Sequence, residues 1–236
     1  MNKRNVYSTL IYKEFMILKR QTLLLIFSVA VPMLVIGTSW YLSFESLEDN
    51  KDPNIIRYML AFQMITVSLY TIPTISMMLF SKTVNDERKE KTNNVLISIG
   101  IDQKTIWLSK IKCIIGFSII CFWAFIILYI FIGRLIFGVF ISTQPLLLIL
   151  SLIVMPLVSI SVSLVLCLMF WLMKNTSIIS FIPTILMYLA YYINMKFLQS
   201  NFNYMIILPA IFATVMILFI CIKIINSVSN EYISNL

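Results

Sequence analysis

Between Lys112 and Arg134 the chain reads CIIGFSIICFWAFIILYIFIG, with no charged residue in the run. A helix rises ~1.5 Å per residue, so about 20 apolar residues cross a hydrocarbon core of ~30 Å. Similar runs recur along the 236 residues. Mean hydropathy is +0.95, far above that of a soluble domain. The expected fold is therefore an all-α integral membrane protein. Six spans are read at 22–44, 58–80, 113–133, 146–173, 176–195 and 204–225. The fourth run is long enough to tilt, or to break near Pro156.

Charge counting orients these spans. With the N-terminus inside, fourteen of the eighteen Lys and Arg fall in cytoplasmic segments, and only Lys51, Arg57, Arg134 and Lys196 fall outside. The positive-inside rule then places both termini and the 81–112 loop in the cytoplasm. The net charge of +8 is a topology signal, and no nucleic-acid partner is inferred from it. The opening twenty residues do not fit a secretory leader, because charges reach Arg20 and no small-residue cleavage site follows. External loops are short, and no repeat or linker divides the chain. Residues 1–236 form one transmembrane domain in this reading.

Several chemistries are excluded. There is no histidine, which removes His-based triads, HExxH zinc sites and most proton relays. Cys113, Cys121, Cys167 and Cys221 are scattered without ligand spacing, so no metal site is expected. The apolar cores of the spans carry no ionisable residue of the kind that ion-coupled carriers use. Gly100 is the only glycine between Gly37 and Gly116, so no phosphate-binding P-loop can be built. The chain is expected to be no enzyme and to hold no cofactor. Any transport must be powered by another polypeptide.

Two cytoplasmic segments stand out. Residues 1–20 place Tyr7, Leu10, Ile11, Phe15 and Leu18 on one stripe, with Lys13, Glu14 and Lys19 mostly elsewhere. That pattern predicts an amphipathic helix at the membrane surface, fixing topology and contacting lipid headgroups. In the second segment, six of the seven residues of DERKEKT (86–92) are charged. Residues 84–99 are helix-capable, with Glu87 and Lys91 at the favourable i,i+4 spacing. Gly100 is suited to a left-handed cap, and Asp102 to starting a second helix that climbs into span three. A helix–turn–helix between two spans is a lever, because a push on it moves both.

The wording of this second segment resembles the ABC-2 family of ABC transporter permeases. The family's loop between spans two and three reads E-R-x-x-G-T-x-x-x-L, with a lysine downstream at the entry to span three. Glu87, Arg88, Thr92, Leu96 and Lys110 carry the match here, and Lys91 stands where the pattern has glycine. The architecture is similar along the whole chain, with an N-terminal interfacial helix, six spans and short loops. The resemblance implies that the 81–112 loop is a coupling helix docking in a groove of a cytoplasmic ABC ATPase. It also implies a second permease chain, as homodimer or paralogous heterodimer, with ATP and Mg bound by the partner ATPase.

Small members of the family export hydrophobic drugs or antimicrobial and cytolytic peptides across the bacterial cytoplasmic membrane. Span two carries Gln63, Thr66, Tyr70 and Thr74 on one stripe, continued by Met77 and Ser81. Span five repeats the steps with Ser177, Thr184, Tyr188 and Tyr191, among others. Such hydroxyl and aromatic stripes suit an amphipathic substrate path, and they equally suit helix packing. A membrane scaffold or immunity protein that recruits a partner through the 81–112 loop is the other function the sequence leaves open.

Overall fold

The computed structural model describes residues 3–47, 53–137 and 149–173, with scattered helical positions between 212 and 227. Every element among them is helical. Helix α1 spans Lys3–Arg20, α2 Thr22–Leu47, α3 Pro53–Glu90, α4 Thr92–Ser98 and α5 Gln103–Phe137. A π-helical turn at Leu150–Val154 leads into α6, Met155–Leu172. Three helices are long and apolar enough to cross a membrane: Gln63–Glu90, Gln103–Leu135 and Ser151–Leu172. The pair Val6–Arg20 and Thr22–Leu34, bent by 78°, raises the number to four if it counts as one span. The expected fifth span and most of the sixth lie outside the described residues.

The break between α1 and α2 falls at Gln21, where the sequence set the end of the interfacial segment. Lys19 and Arg20 occupy the last turn of α1, where cations complement the helix dipole. Proline opens α3, at the one helical position where its missing N–H is harmless. From there α3 runs for 38 residues, with Pro73 in its interior, about 57 Å at the α-helical rise; the proline removes one i→i−4 bond without ending the helix. It is the central helix, packed by α2, α5 and α6. Of its most apolar stretch 76% is buried, against 39% for α5.

The fourth apolar run is irregular near Pro156 but not broken: Ser151–Leu172 is one helix, whose first turn is π-helical. Pro156 has no N–H to return to the carbonyl five residues earlier, that of Ser151. Ser68 of α3 supplies the missing donor, its Oγ lying 2.7 Å from Ser151 O. Ser159 Oγ in turn donates to Ser68 O at 2.7 Å, and Ser76 Oγ to Ser118 Oγ of α5 at 2.9 Å. Hydroxyls thus join α3 to two of its neighbours, α5 and α6 with its π-turn, in mid-helix, as small polar residues do between membrane helices. One apolar cluster lies around Met64, Ile72, Phe122 and Tyr129. A second, around Phe80, Ile106, Trp107, Phe170 and Trp171, lies towards the charged end.

Candidate functional site: the charged end of the α3–α5 hairpin

Residues 84–99 do not form the single helix that their composition suggests. Span two continues through the charged segment to Glu90, and the chain then turns at Lys91, with φ 53° and ψ 23°. Lys91 is the only non-glycine residue with positive φ among those described, and it stands where the family pattern has glycine. The left-handed region costs an L-residue roughly 1–2 kcal/mol and a glycine almost nothing. The glycine of the pattern therefore marks a backbone conformation, which this chain adopts without it.

The short α4 ends as the sequence indicates. Gly100 has φ +83°, its N–H reaches Ile97 O at 2.9 Å, and Ile101 N–H reaches Leu96 O at 3.1 Å. These two bonds make a Schellman cap. Asp102 follows, its carbonyl accepting from Thr105 and Ile106 at the start of α5. The result is a hairpin of two long helices with α4 at its tip. Val95 and Ile99 are 59% and 67% exposed there. Leu96, the expected apolar contact, packs inward on the core.

The base of the hairpin holds a buried charge cluster. Lys110 is fully buried, and its Nζ is hydrogen-bonded to Glu87 Oε1 and, at 2.9 Å, to Glu14 Oε1. Lys13 Nζ lies 3.4 Å from Glu87 Oε1 and 3.8 Å from Glu14 Oε1. Two lysines and two carboxylates from α1, α3 and α5 thus neutralise one another. The partner of Glu87 is therefore not Lys91 four residues on but Lys110 on the next helix. The i,i+4 ion pair of this segment is Lys82–Asp86, at 3.0 Å.

Glu14 overturns the sequence reading of α1. It was expected on the polar side, yet it is 2% exposed, in line with buried Leu10 and Leu18, while Phe15 is 56% exposed. The true inner face is the 10–14–18 stripe, with the carboxylate in its middle. Glu14 lies outside the three helices long enough to span. Burial pushes its carboxyl above the ordinary range, and the Lys110 charge pulls it part of the way back.

Arg88 does different work. Its guanidinium donates to Phe170 O and Met173 O at 3.0 Å and to Trp171 O at 2.9 Å. The last carbonyls of a helix have no partner of their own, and Arg88 caps those of α6 with a planar fork of donors. Thr92, the first residue of α4, donates its hydroxyl to Glu90 Oε2 at 3.4 Å. Of the five motif residues, Glu87 and Lys110 meet, Arg88 reaches to α6, and Thr92 and Leu96 belong to α4.

The stripe on span two is only partly described. Gln63 Oε1 accepts from Tyr129 of α5 at 2.9 Å, a packing contact. Tyr70 is half-buried, and Thr74 is buried with no hydrogen bond at its hydroxyl. The side chain of Thr66, together with Ser177, Thr184, Tyr188 and Tyr191, lies outside the described residues. The sequence reading missed Lys13, Glu14, Val95 and Ile99. One available signal was that Glu14 is the only acid in α1.

Long apolar helices around a buried ionic clamp define a polytopic helical membrane protein with a charged, helical attachment between two spans. The sequence profile of the ABC-2 family transporter protein matches residues 10–194, more than half of the chain. The chain belongs to that family, the membrane component of ABC transporters, in which a separate subunit hydrolyses ATP. No curated protein and no solved structure matches it.

Proposed function

We propose that this chain is the permease subunit of an ATP-driven exporter in a bacterial cytoplasmic membrane. In this reading both termini and the α3–α5 hairpin lie in the cytoplasm, and α4 docks on an ABC ATPase. The observation that carries the proposal is the hairpin itself. Spans two and three run past their apolar stretches as continuous helices, share a buried ion pair, and present Val95 and Ile99 at a tip otherwise lined with polar residues. Apolar side chains exposed on a water-facing tip suit a protein groove. A load placed on that tip is carried straight into two spans.

ATP and Mg are bound by the ATPase, and a second permease chain, identical or paralogous, completes the pathway. The substrates are hydrophobic or amphipathic molecules, such as antimicrobial peptides or drugs. Tyr70 and Thr74, with the polar residues of span five, offer them hydroxyls and aromatic faces without fixed charge. The test is co-expression and purification with an ABC ATPase from the same genome. Val95→Asp with Ile99→Asp should abolish co-purification while leaving the amount of membrane-inserted permease unchanged. If the double variant retains the ATPase, the tip is not the docking element. If the unaltered chain binds no ATPase, it is a scaffold or immunity protein instead.

A further inference from the structure

The N-terminal helix is held to the hairpin at three levels. Lys112 of α5 lies over the Tyr7 ring at 5.7 Å. Glu14 reaches Lys110 at 2.9 Å. Gln21, at the bend, donates through Nε2 to Asp86 Oδ2 at 3.3 Å. Of the three, only the Glu14 contact is buried at both ends. A helix that merely lay in the headgroup layer would keep its carboxylate at the polar surface. This one buries its single carboxylate against the hairpin, with Glu14 2% exposed.

We infer that Glu14 is a positioning residue that keys α1, and across the bend α2, to the α3–α5 hairpin. A displacement of the tip then carries span one along with spans two and three. This rests on the reading of the tip as the ATPase-driven element. Lys110 makes the arrangement possible because an ammonium has three donors and can serve two carboxylates at once. The Lys110–Glu87 pair keeps the hairpin closed. The Lys110–Glu14 pair adds the third helix at full burial, beside the partly exposed Lys13–Glu87 contact at 3.4 Å.

The stoichiometry separates keying from folding. With Glu14→Gln, Lys110 still has Glu87 as its counter-ion. Lys13, whose side chain is 31% exposed, can turn its charge to water. The variant is therefore expected to fold with α1 less firmly held. Spin labels at Tyr12→Cys on α1 and Lys89→Cys on α3, with the four native cysteines replaced, report the α1–hairpin distance by pulsed EPR in lipid nanodiscs. In the permease alone, the distance distribution should be narrow in the parent, broad in Glu14→Gln and narrow again in Glu14→Asp. With the ATPase bound and trapped by vanadate, the parent distance should stay unchanged, while that of Glu14→Gln shifts because α1 lags behind. A Glu14→Gln distribution equal to the parent's in both settings overturns the proposal. Failure of the coupling reading overturns it too, but is told apart because Val95→Asp with Ile99→Asp then still co-purifies with the ATPase.

Discussion

At the charged end of the molecule the central helices are joined by ions, and in mid-helix by hydroxyls. The two kinds of joint differ in what happens when they open. Ser68 Oγ lies 2.7 Å from Met64 O in its own helix and 2.7 Å from Ser151 O in the next. Ser159 Oγ is similarly placed between Met155 O and Ser68 O. A serine that loses its neighbour keeps an acceptor one turn back, and what is lost is one neutral donor on the carbonyl of Ser151 or Ser68. Lys110 has no such fallback. It is fully buried, and separating it from its carboxylates leaves charges stranded in a low-dielectric setting. The hydroxyl joints are neutral and the ionic joint is charged and buried, so opening the ionic joint at the ends of α1, α3 and α5 costs more.

The comparison breaks first at Lys110. Lys110→Met leaves two buried carboxylates with Lys13 alone, and removing one partner of a buried pair costs about 3–5 kcal/mol. Most of the monodisperse permease should be lost on size exclusion at equal expression. Adding Glu14→Gln should restore part of it, because Glu87 and Lys13 then balance. A single variant as stable as the parent, or a double variant worse than the single, would show that the cluster is no clamp.

Arg88 comes next. Arg88→Ala removes a charged donor from three terminal carbonyls, and hydrogen bonds to charged groups are worth about 1.5–3 kcal/mol. A lower melting temperature in detergent is expected, with Arg88→Lys intermediate because an ammonium cannot match the fork. Equal melting temperatures for all three would remove the cap from the account.

The hydroxyl joints should give far smaller effects. Ser76→Ala is expected to cost about 0.6 kcal/mol, the average for polar contacts between membrane helices. A loss as large as that of Arg88→Ala would erase the distinction between the two kinds of joint. The last effect has the opposite sign. Lys91→Gly relieves a left-handed lysine by ~1–2 kcal/mol but adds chain entropy worth ~0.5–1 kcal/mol. The melting temperature should rise slightly. A fall would mean that the Lys91 side chain contributes more than its backbone costs.

Much of this end of the molecule was legible in the sequence, for local reasons. The α1–α2 boundary, the Gly100 cap and the start of α5 each depend on residues within one turn of the feature. The ionic clamp was not legible, because its members are far apart in sequence. Glu87 and Lys110 are 23 residues apart and Glu14 and Lys110 are 96 apart, and a nearer lysine stood in the favoured register. Hydropathy sorting placed Glu14 on the polar face because it scores a residue's type and not its partner. The break at Lys91 was hidden as well, since lysine is a good helix former and only the turn into α4 demands the left-handed region there. Pro156 announced an irregularity, but its form, a π-turn whose Ser151 carbonyl accepts from Ser68 of another helix, involves a residue 83 positions away.

The length of α3 sets a lever ratio between its two ends. Its 38 residues from Pro53 to Glu90 are one helix. One degree of tilt about the midpoint of such a ~57 Å rod swings each end by about 0.5 Å, in opposite directions. Pro73 sits close to that midpoint and removes one backbone hydrogen bond there. A displacement of Glu90 is therefore returned near Pro53 reversed, less whatever bend the helix takes up at that single proline.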